Sequence, residues 1–296
     1  MQVGFIGLGE VGTVYSVGLK EHGANVKGFD VLALDPANRE RFRRCTDAGI
    51  VLADSLQELI EDCDYILSVT SSKTAIAVAE SCAPFLKNNQ TFIDMNSAVP
   101  EKKRRIAEIL RHCMVVDGIT MSSPSQFGIR TEVVFSGPEA ARTVRDFNQY
   151  GMNTRCIGEE IGQAGALKVL RSVFTKGFEA VLIESLMAAD YFHVYNDVYA
   201  TICSFVENSG IRTSMDFMVR TNVVHAERRG DEVRGVAEMM ADAGLDHRMA
   251  SVSAEKLYWL QQLNVKEAFH GSFAETPRQA IDAMLDAMLR AEPKEN

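Results

Sequence analysis

The sequence has no apolar run approaching the ~20 residues a membrane-spanning helix needs, which excludes a helical membrane protein. It has no basic excess either. The net charge is −9 over 296 residues, so no positive field invites nucleic acid or an anionic membrane, and the acidic balance serves solubility. The six cysteines, Cys45, Cys63, Cys82, Cys113, Cys156 and Cys203, form no close pairs. That argues against a disulfide framework or a zinc site and for small core residues in a reducing cytoplasm. No histidine pair has ligand spacing near a carboxylate, so no metal is expected. No targeting segment is expected, because a core strand starts directly after Met1. There is no repeat of fixed period and no low-complexity tract. What remains is ordinary globular composition, 46% hydrophobic and 24% charged, long enough for two domains.

The informative stretch is the first thirty residues. The apolar run Gln2 to Ile6 leads into Gly7-Leu8-Gly9-Glu10-Val11-Gly12. A helical pattern follows from Val11 to Lys20, then a second strand, Asn25 to Phe29, ending at Asp30. Strand, glycine turn, helix, strand and acid come in the order of a dinucleotide-binding unit. Gly7 allows the tight turn, Gly9 admits a pyrophosphate against the backbone, and Gly12 lets helix and strand pack closely. The free N–H groups of the first helical turn, at Glu10 and Val11, suit phosphate. Asp30 lies 18 positions after Gly12, close to the ~20-residue spacing of a carboxylate that binds a ribose 2′-hydroxyl. NAD is therefore expected over NADP, since no Arg or Lys stands in Val31 to Leu34 to receive a 2′-phosphate.

Strand and helix alternate to about residue 117, which predicts a doubly wound α/β sheet. Helices are expected over Asn38 to Ala48, with four arginines on an exposed face, and over Leu56 to Cys63, Lys73 to Leu86 and Glu101 to His112. Strands are expected at Gly49 to Leu52, Tyr65 to Val69, Thr91 to Asp94 and Met114 to Asp117. Two more, Glu132 to Phe135 and Thr154 to Ile157, flank a helix from Pro138 to Tyr150. From Gly162 onward only helices are expected. They run over Ala164 to Asp190, Tyr191 to Asn208, Arg212 to Arg228, Asp231 to Ala243, Arg248 to Leu263 and Thr276 to Arg290, with a frayed tail from Ala291. This divides the chain into an NAD-binding Rossmann domain, 1–161, and an all-helical substrate and dimerisation domain, 162–296.

Ligands of such a sheet bind beyond the carboxyl ends of the strands, where strand order reverses. That brings Gly9 to Val11 beside Val69, Thr70, Ser71 and Ser72, with Asn96 and Ser97 next; hydroxyl residues there also make good turns and caps. Ser122 and Ser123, in a Gly- and Ser-rich loop after a strand, suit the hydroxyl or carboxylate of a small substrate. Lys168, Arg171, Ser172 and Thr175 share one helical face at i, i+3, i+4 and i+7. Charge on so apolar a helix implies either snorkelling and pairing across an interface, or a cleft. In a cleft Lys168 would serve as acid or base and Arg171 as an anion site.

Four motifs together resemble the β-hydroxyacid dehydrogenase superfamily, which includes 3-hydroxyisobutyrate and 6-phosphogluconate dehydrogenases. Gly4 to Gly12 is similar to its N-terminal signature, and Asp94-Met95-Asn96-Ser97 to its Asp-x-Ser-Thr segment. Asp117 to Ser123 falls at its substrate-binding Ser-Gly-Gly, and Gly162 to Lys168 resembles the lead-in to its catalytic lysine. The resemblance implies hydride transfer between a nicotinamide cofactor and a small hydroxy acid, with Lys168 as general acid/base and Ser122, Ser123, Ser172 and Arg171 around the substrate. It also implies a homodimer through the helical domain, whose long apolar helix exposes more surface than one chain covers. Two departures stand out: Met121 where the family has serine and Ser172 where it has asparagine. They keep open an imine reductase or a decarboxylating sugar-acid enzyme, beside a non-catalytic NAD-binding regulator. His225-Ala226-Glu227-Arg228-Arg229 resembles the signature of a phosphogluconate dehydrogenase-like branch and implies His225 and Arg229 as substrate contacts. The alternative is a charged helix face with an Arg228–Glu232 pair.

Overall fold

A computed structural model describes residues 1–291. The strands are β1 (Gln2–Ile6), β2 (Asn25–Phe29), β3 (Val51–Leu52), β4 (Tyr65–Ser68), β5 (Thr91–Asp94), β6 (Met114–Thr120), β7 (Glu132–Ser136) and β8 (Asn153–Cys156). Between them run α1 (Glu10–Glu21), α2 (Arg43–Asp47), α3 (Leu56–Ile60), α4 (Ala75–Cys82), α5 (Pro100–Ile109), α6 (Pro124–Phe127) and α7 (Ala140–Asn148). The strands form one eight-stranded sheet in the order β3-β2-β1-β4-β5-β6-β7-β8. Every pairing is parallel except β6 with β7. The order reverses between β1 and β4, and the crevice at that switch point is where ligands of such sheets bind. This is the expected doubly wound sheet.

The central strands are buried on both faces, as their continuous apolar runs demand. Tyr65–Ser68 and Thr91–Asp94 are buried at every position. One apolar layer gathers Phe5, Tyr15, Leu67, Ile93 and Phe135. Another gathers Ile6, Leu59, Ile66, Phe92 and Ile106.

The chain divides into two compact units at Val173/Phe174, twelve residues later than the glycine-rich segment suggests. The cause is local. The helix α8 (Gln163–Tyr191) begins on the sheet, with Ala164 buried against Ile119 and Val134, so its first three turns belong with the first unit.

The second unit contains the rest of α8, with α9 (Tyr195–Glu207), α10 (Ile211–Asp242), α11 (Arg248–Gln262) and α12 (Pro277–Ala291). No strand occurs among its described residues. The tail expected from Ala291 lies outside the described residues, except Ala291, which ends α12. The two helices expected over Arg212 to Ala243 are one, because the chain continues helically through Gly230. A Cβ there would stand 3.0 Å from the Tyr258 ring, so glycine at this point is a close-packing device, not a stop. Glu184 of α8 accepts the N–H groups of Met249 and Ala250, both at 2.8 Å, capping the start of α11.

Among the described residues no helix is long and apolar enough to cross a membrane. All six cysteines are free, and Cys45, Cys63 and Cys82 are buried. Burial pushes the Cys63 thiol up to about 11 and the Cys82 thiol to about 12, which keeps both protonated and unreactive. Cys156 departs from the core expectation and is exposed, because it ends the edge strand β8.

Candidate functional site

The glycine turn has the geometry its sequence suggests. Gly7 adopts φ +92°, and a Cβ on it would meet the Val69 carbonyl oxygen at 2.6 Å. A Cβ on Gly12 would lie 2.0 Å from the Gly7 carbonyl oxygen, so α1 packs against the turn at a distance only glycine permits. Around Gly9 the space is open: a Cβ there would have no neighbour within 4 Å. Gly9 caps α1 with no side-chain hydrogen bond to the helix. The turn thus presents an open cradle beneath a helix N-terminus, the arrangement that fits a pyrophosphate.

Asp30 ends β2 and ties the turn together. Its Oδ2 accepts the Leu8 N–H at 2.9 Å and its Oδ1 the Leu32 N–H at 3.0 Å. A cavity of about 530 Å³ opens beside it, lined by Leu8, Gly9, Glu10, Thr13, Asp30, Arg41 and Arg44 among others. The two arginines are exposed, as expected, but the single helix expected over Asn38 to Ala48 does not form. The segment instead folds as a 3₁₀ turn, Pro36–Phe42, followed by the short α2, and this brings Arg41 and Arg44 to the cavity wall.

A second cavity of about 340 Å³ shares Gly9 and Glu10 with the first. Its wall includes Val11, Val69, Thr70, Ser71, Ser72, Met95, Asn96, Ser97, Thr120 and Lys168. The turn after β1 with the start of α1, the loops after β4 and β5 and the last residue of β6 supply all of these except Lys168, which comes from the second turn of α8. Asn96 is held from below: its amide donates to Asp94 Oδ1 at 2.5 Å and to Ser68 Oγ at 3.1 Å. Thr70 donates to Asn96 Oδ1 at 3.5 Å.

Lys168 is half-buried, and its ammonium donates to Thr120 Oγ1 at 3.4 Å. Burial depresses its pKa below the ordinary lysine range, with Lys103 and then Arg171 adding repulsion. No carboxylate is hydrogen-bonded to it among the described residues. A lysine in this state gives up its proton more readily than one in water.

The other candidates are distributed differently. Arg171 is exposed and donates to the Met121 carbonyl at 2.7 Å. Ser172 is half-buried on the same helix. Ser122 and Ser123 are exposed and are not among the residues that line the Lys168 cavity. Ser123 donates to Glu10 Oε1 at 2.9 Å and pairs with Ser125 at 2.7 Å. Thr120, which the sequence reading did not single out, is the hydroxyl that meets Lys168. The signal available was its place just after the strand expected at Met114 to Asp117; β6 runs three residues further than expected and ends at Thr120.

In the second unit, His225 stacks edge-on against Phe273 at 5.2 Å. Arg229 donates to Thr221 Oγ1 at 2.6 Å and to the Met218 carbonyl at 3.2 Å, both on its own helix. Arg228 pairs with Glu232 at 2.5 Å, the helix-face pairing that the spacing allows. Among the described residues no group of three or more His, Cys, Asp or Glu side chains is placed to hold a metal ion.

Residues 2–117 match the NAD binding domain of 6-phosphogluconate dehydrogenase. Residues 189–260 match a domain of unknown function, DUF1932. A conserved hypothetical protein from Sinorhizobium meliloti is 27% identical with a TM-score of 0.64, covering 97% of this chain and 96% of its own. A conserved protein of unknown function, described as structurally similar to 3-hydroxyacid dehydrogenases, is also 27% identical. It has a TM-score of 0.63 and covers 87% of this chain and 96% of its own. An imine reductase from Myxococcus stipitatus, solved with NADP⁺, is 17% identical with a TM-score of 0.71, covering 98% and 100%. Its V8 variant, solved with NAD⁺, is 16% identical with a TM-score of 0.76, covering 97% and 99%. These last two show the fold alone. Residues 2–117 thus match a nucleotide-binding domain of the 6-phosphogluconate dehydrogenase type, and they lead into a helical second unit, in a chain similar over most of its length to a protein described as structurally similar to 3-hydroxyacid dehydrogenases.

Proposed function

We propose that the protein is an NAD-dependent dehydrogenase of a small hydroxy acid in which Lys168 moves the substrate proton. The observation that carries this reading is that Lys168, depressed in pKa, lines one cavity with the glycine turn and with Asn96 and Ser97. The nucleotide, when bound, supplies the hydride acceptor. The chain's own residues do the rest. Gly9 and the first turn of α1 hold the pyrophosphate, and Val69, Thr70, Ser71, Asn96 and Ser97 wall the nicotinamide end. Lys168 Nζ takes the proton of the carbinol hydroxyl as general base and returns it in the reverse direction. Thr120 orients that ammonium. Arg171, Ser172, Ser122 and Ser123 are the further substrate contacts the family resemblance implies. NAD is favoured because a 2′-phosphate beside Asp30 meets a like charge.

A second reading rests on the charges of the cavity wall. Glu10 is there, and Lys168 is the cation. That suits a neutral or cationic substrate such as an imine better than a dianion.

The same chemistry predicts a homodimer through α8. Phe178, Ile183, Met187 and Tyr191 of this helix are each about half exposed or more, a larger apolar display than one chain leaves to water. The primary test changes Lys168 to Ala or Met and measures turnover and NADH affinity separately, over a panel of hydroxy acids and cyclic imines followed at 340 nm. Lost turnover with intact NADH binding is expected. Unchanged turnover ends the assignment, and an imine as the best substrate selects the second reading.

A further inference from the structure

Lys103 is a charged residue with no access to water. Its side chain, on α5, is 1% exposed. Its ammonium lies 2.7 Å from Asp94 Oδ2 and 2.9 Å from Asp117 Oδ1. It also donates to the carbonyl oxygens of Asp94 at 2.8 Å and Gly118 at 3.3 Å. Asp94 and Asp117 stand opposite each other in the β5–β6 pair. Without a cation between them, two buried carboxylates at this spacing would repel strongly.

One ammonium against two carboxylates leaves the cluster one negative charge in excess. An uncompensated buried charge is costly. What faces it is the start of α8. Asp117 Oδ2 accepts the N–H groups of Gly162 at 3.1 Å and Gly165 at 2.9 Å. Ser136, which donates to the same oxygen at 3.2 Å, accepts the Ala164 N–H at 3.0 Å. The helix end therefore supplies the missing positive charge. The contact is tight: a Cβ on Gly165 would lie 2.8 Å from the Ala98 carbonyl oxygen. On its other side the cluster ends at the cavity, since Asp94 Oδ1 accepts the amide of Asn96.

We infer that Lys103 is a positioning residue of the reaction centre: by bridging Asp94 and Asp117 it locks the first turn of α8, and with it Lys168, in register with Asn96 and Thr120. The inference rests on the reading of Lys168 as the proton-transfer group. Lys103 touches neither cavity, so it acts through other residues. Its second action is electrostatic, because a fixed buried cation behind the site opposes protonation of Lys168. Of the other charged groups, Glu10 of α1 shares the cavity wall with Lys168 and Arg171 lies on its own helix; Asp117 holds the first turn of that helix at Gly165, Asp94 pairs with Lys103, and the Lys102 ammonium holds the carbonyl of Ser72, a residue of the cavity wall, at 2.7 Å.

The test uses the full chain without nucleotide. Lysine is labelled with ¹³C at Cε, and Lys168 is assigned by the signal lost in Lys168→Arg. Asp94→Asn is compared with Lys103→Met/Asp94→Asn; the pair differs only in Lys103. The double variant keeps the original excess of one negative charge. The titration midpoint of Lys168 is expected about half a pH unit or more higher in the double variant than in Asp94→Asn. Turnover of the double variant is expected to fall about tenfold, with NADH affinity within about twofold of the single variant. Equal midpoints overturn the inference, since a merely structural Lys103 lowers the melting temperature without moving the midpoint. Should the double variant not fold, Lys103→Gln/Asp94→Asn takes its place against the same Asp94→Asn protein. Its Lys168 midpoint must lie above that of Asp94→Asn, and equal midpoints overturn the inference. Equal midpoints beside an inactive Lys168→Ala remove only the role of Lys103, whereas a shifted midpoint beside a fully active Lys168→Ala removes the role of Lys168 and with it that of Lys103.

Discussion

The ammonium of Lys168 meets the hydroxyl of Thr120 at 3.4 Å, and this pair joins the second turn of a helix to the last residue of a central strand. Thr120 is 7% exposed, so its hydroxyl is shielded and its direction is set by the strand. The contact is long, and its worth in stability is small, on the order of 0.5 kcal/mol. Its worth in catalysis is larger if it aims the ammonium at the reacting atom. Thr120→Val keeps the shape and deletes the acceptor. The expected result is a fall in kcat/KM of about tenfold, equivalent to ~1.4 kcal/mol, with NADH affinity unchanged and Thr120→Ser close to the original. Steady-state kinetics on the three proteins measure it; an unaltered Thr120→Val variant removes the orienting role.

The direction of the Lys168 shift fixes a pH dependence. Burial, then Lys103, then Arg171 make the charged form harder to hold than in the unfolded chain. Oxidation needs the neutral amine, so its kcat/KM should rise with pH through a limb lying below the ordinary lysine range, and reduction should fall through the same limb. Stability carries the same sign. Between the folded and unfolded pKa values the unfolded chain binds more protons, so raising pH across that window favours folding. Below the window, charged Lys168 costs stability. Lys168→Met should therefore melt no lower than the original at neutral pH, and any gain should vanish as pH approaches the ordinary lysine range. Rate profiles in both directions and calorimetry across pH provide the check; a limb at the ordinary lysine pKa contradicts it.

The fold was legible where one local signal sufficed. The glycine turn and Asp30 predict β1, α1 and β2, and the buried apolar runs predict β4 and β5, because strands covered on both faces must be apolar throughout. Legibility failed where tertiary contacts override local preference. Gly230 looks like a helix end and is the point where Tyr258 packs against an unbroken α10. Arg41 and Arg44 are exposed, as their charge suggests, and they also line a cavity that the sequence does not announce, because the segment winds as a 3₁₀ turn first. At the site, Lys168, Asn96 and Ser97 were readable from motifs. Lys103 was not: a lysine amid the charged run of α5 looks exposed, and only the fold brings Asp94 and Asp117 to it.

Asp30 and Arg44 line one cavity and pull nucleotide choice in opposite directions. The carboxylate repels a 2′-phosphate, and the guanidinium attracts one. Asp30 also braces the turn through the Leu8 and Leu32 N–H groups, so the informative change keeps its shape. Asp30→Asn is expected to raise the ratio of kcat/KM with NADP to that with NAD by about tenfold or more. Adding Arg44→Ala should reverse most of the gain. Initial rates with both nucleotides decide it, and a ratio unmoved by Asp30→Asn would show that this acid does not select the cofactor.

Phe174 and Phe178 stack one turn apart on α8, with ring centroids 6.2 Å apart and planes within 8°. Each remains about half exposed, as do Ile183 and Met187 further along the helix. Burying one such side chain against a partner is worth ~1.5–3 kcal/mol, so a few of them can hold two chains together at micromolar concentration. A carboxylate placed among them would be buried without a counter-ion, at a cost of several kcal/mol. Phe178→Asp is therefore expected to weaken self-association by about 100-fold or more while leaving NADH binding intact, because the nucleotide cradle is built entirely from the first unit. Sedimentation velocity over a concentration series gives the readout. A sharp monomer boundary for the unsubstituted protein at all concentrations would leave this apolar face to some other partner and withdraw the dimer.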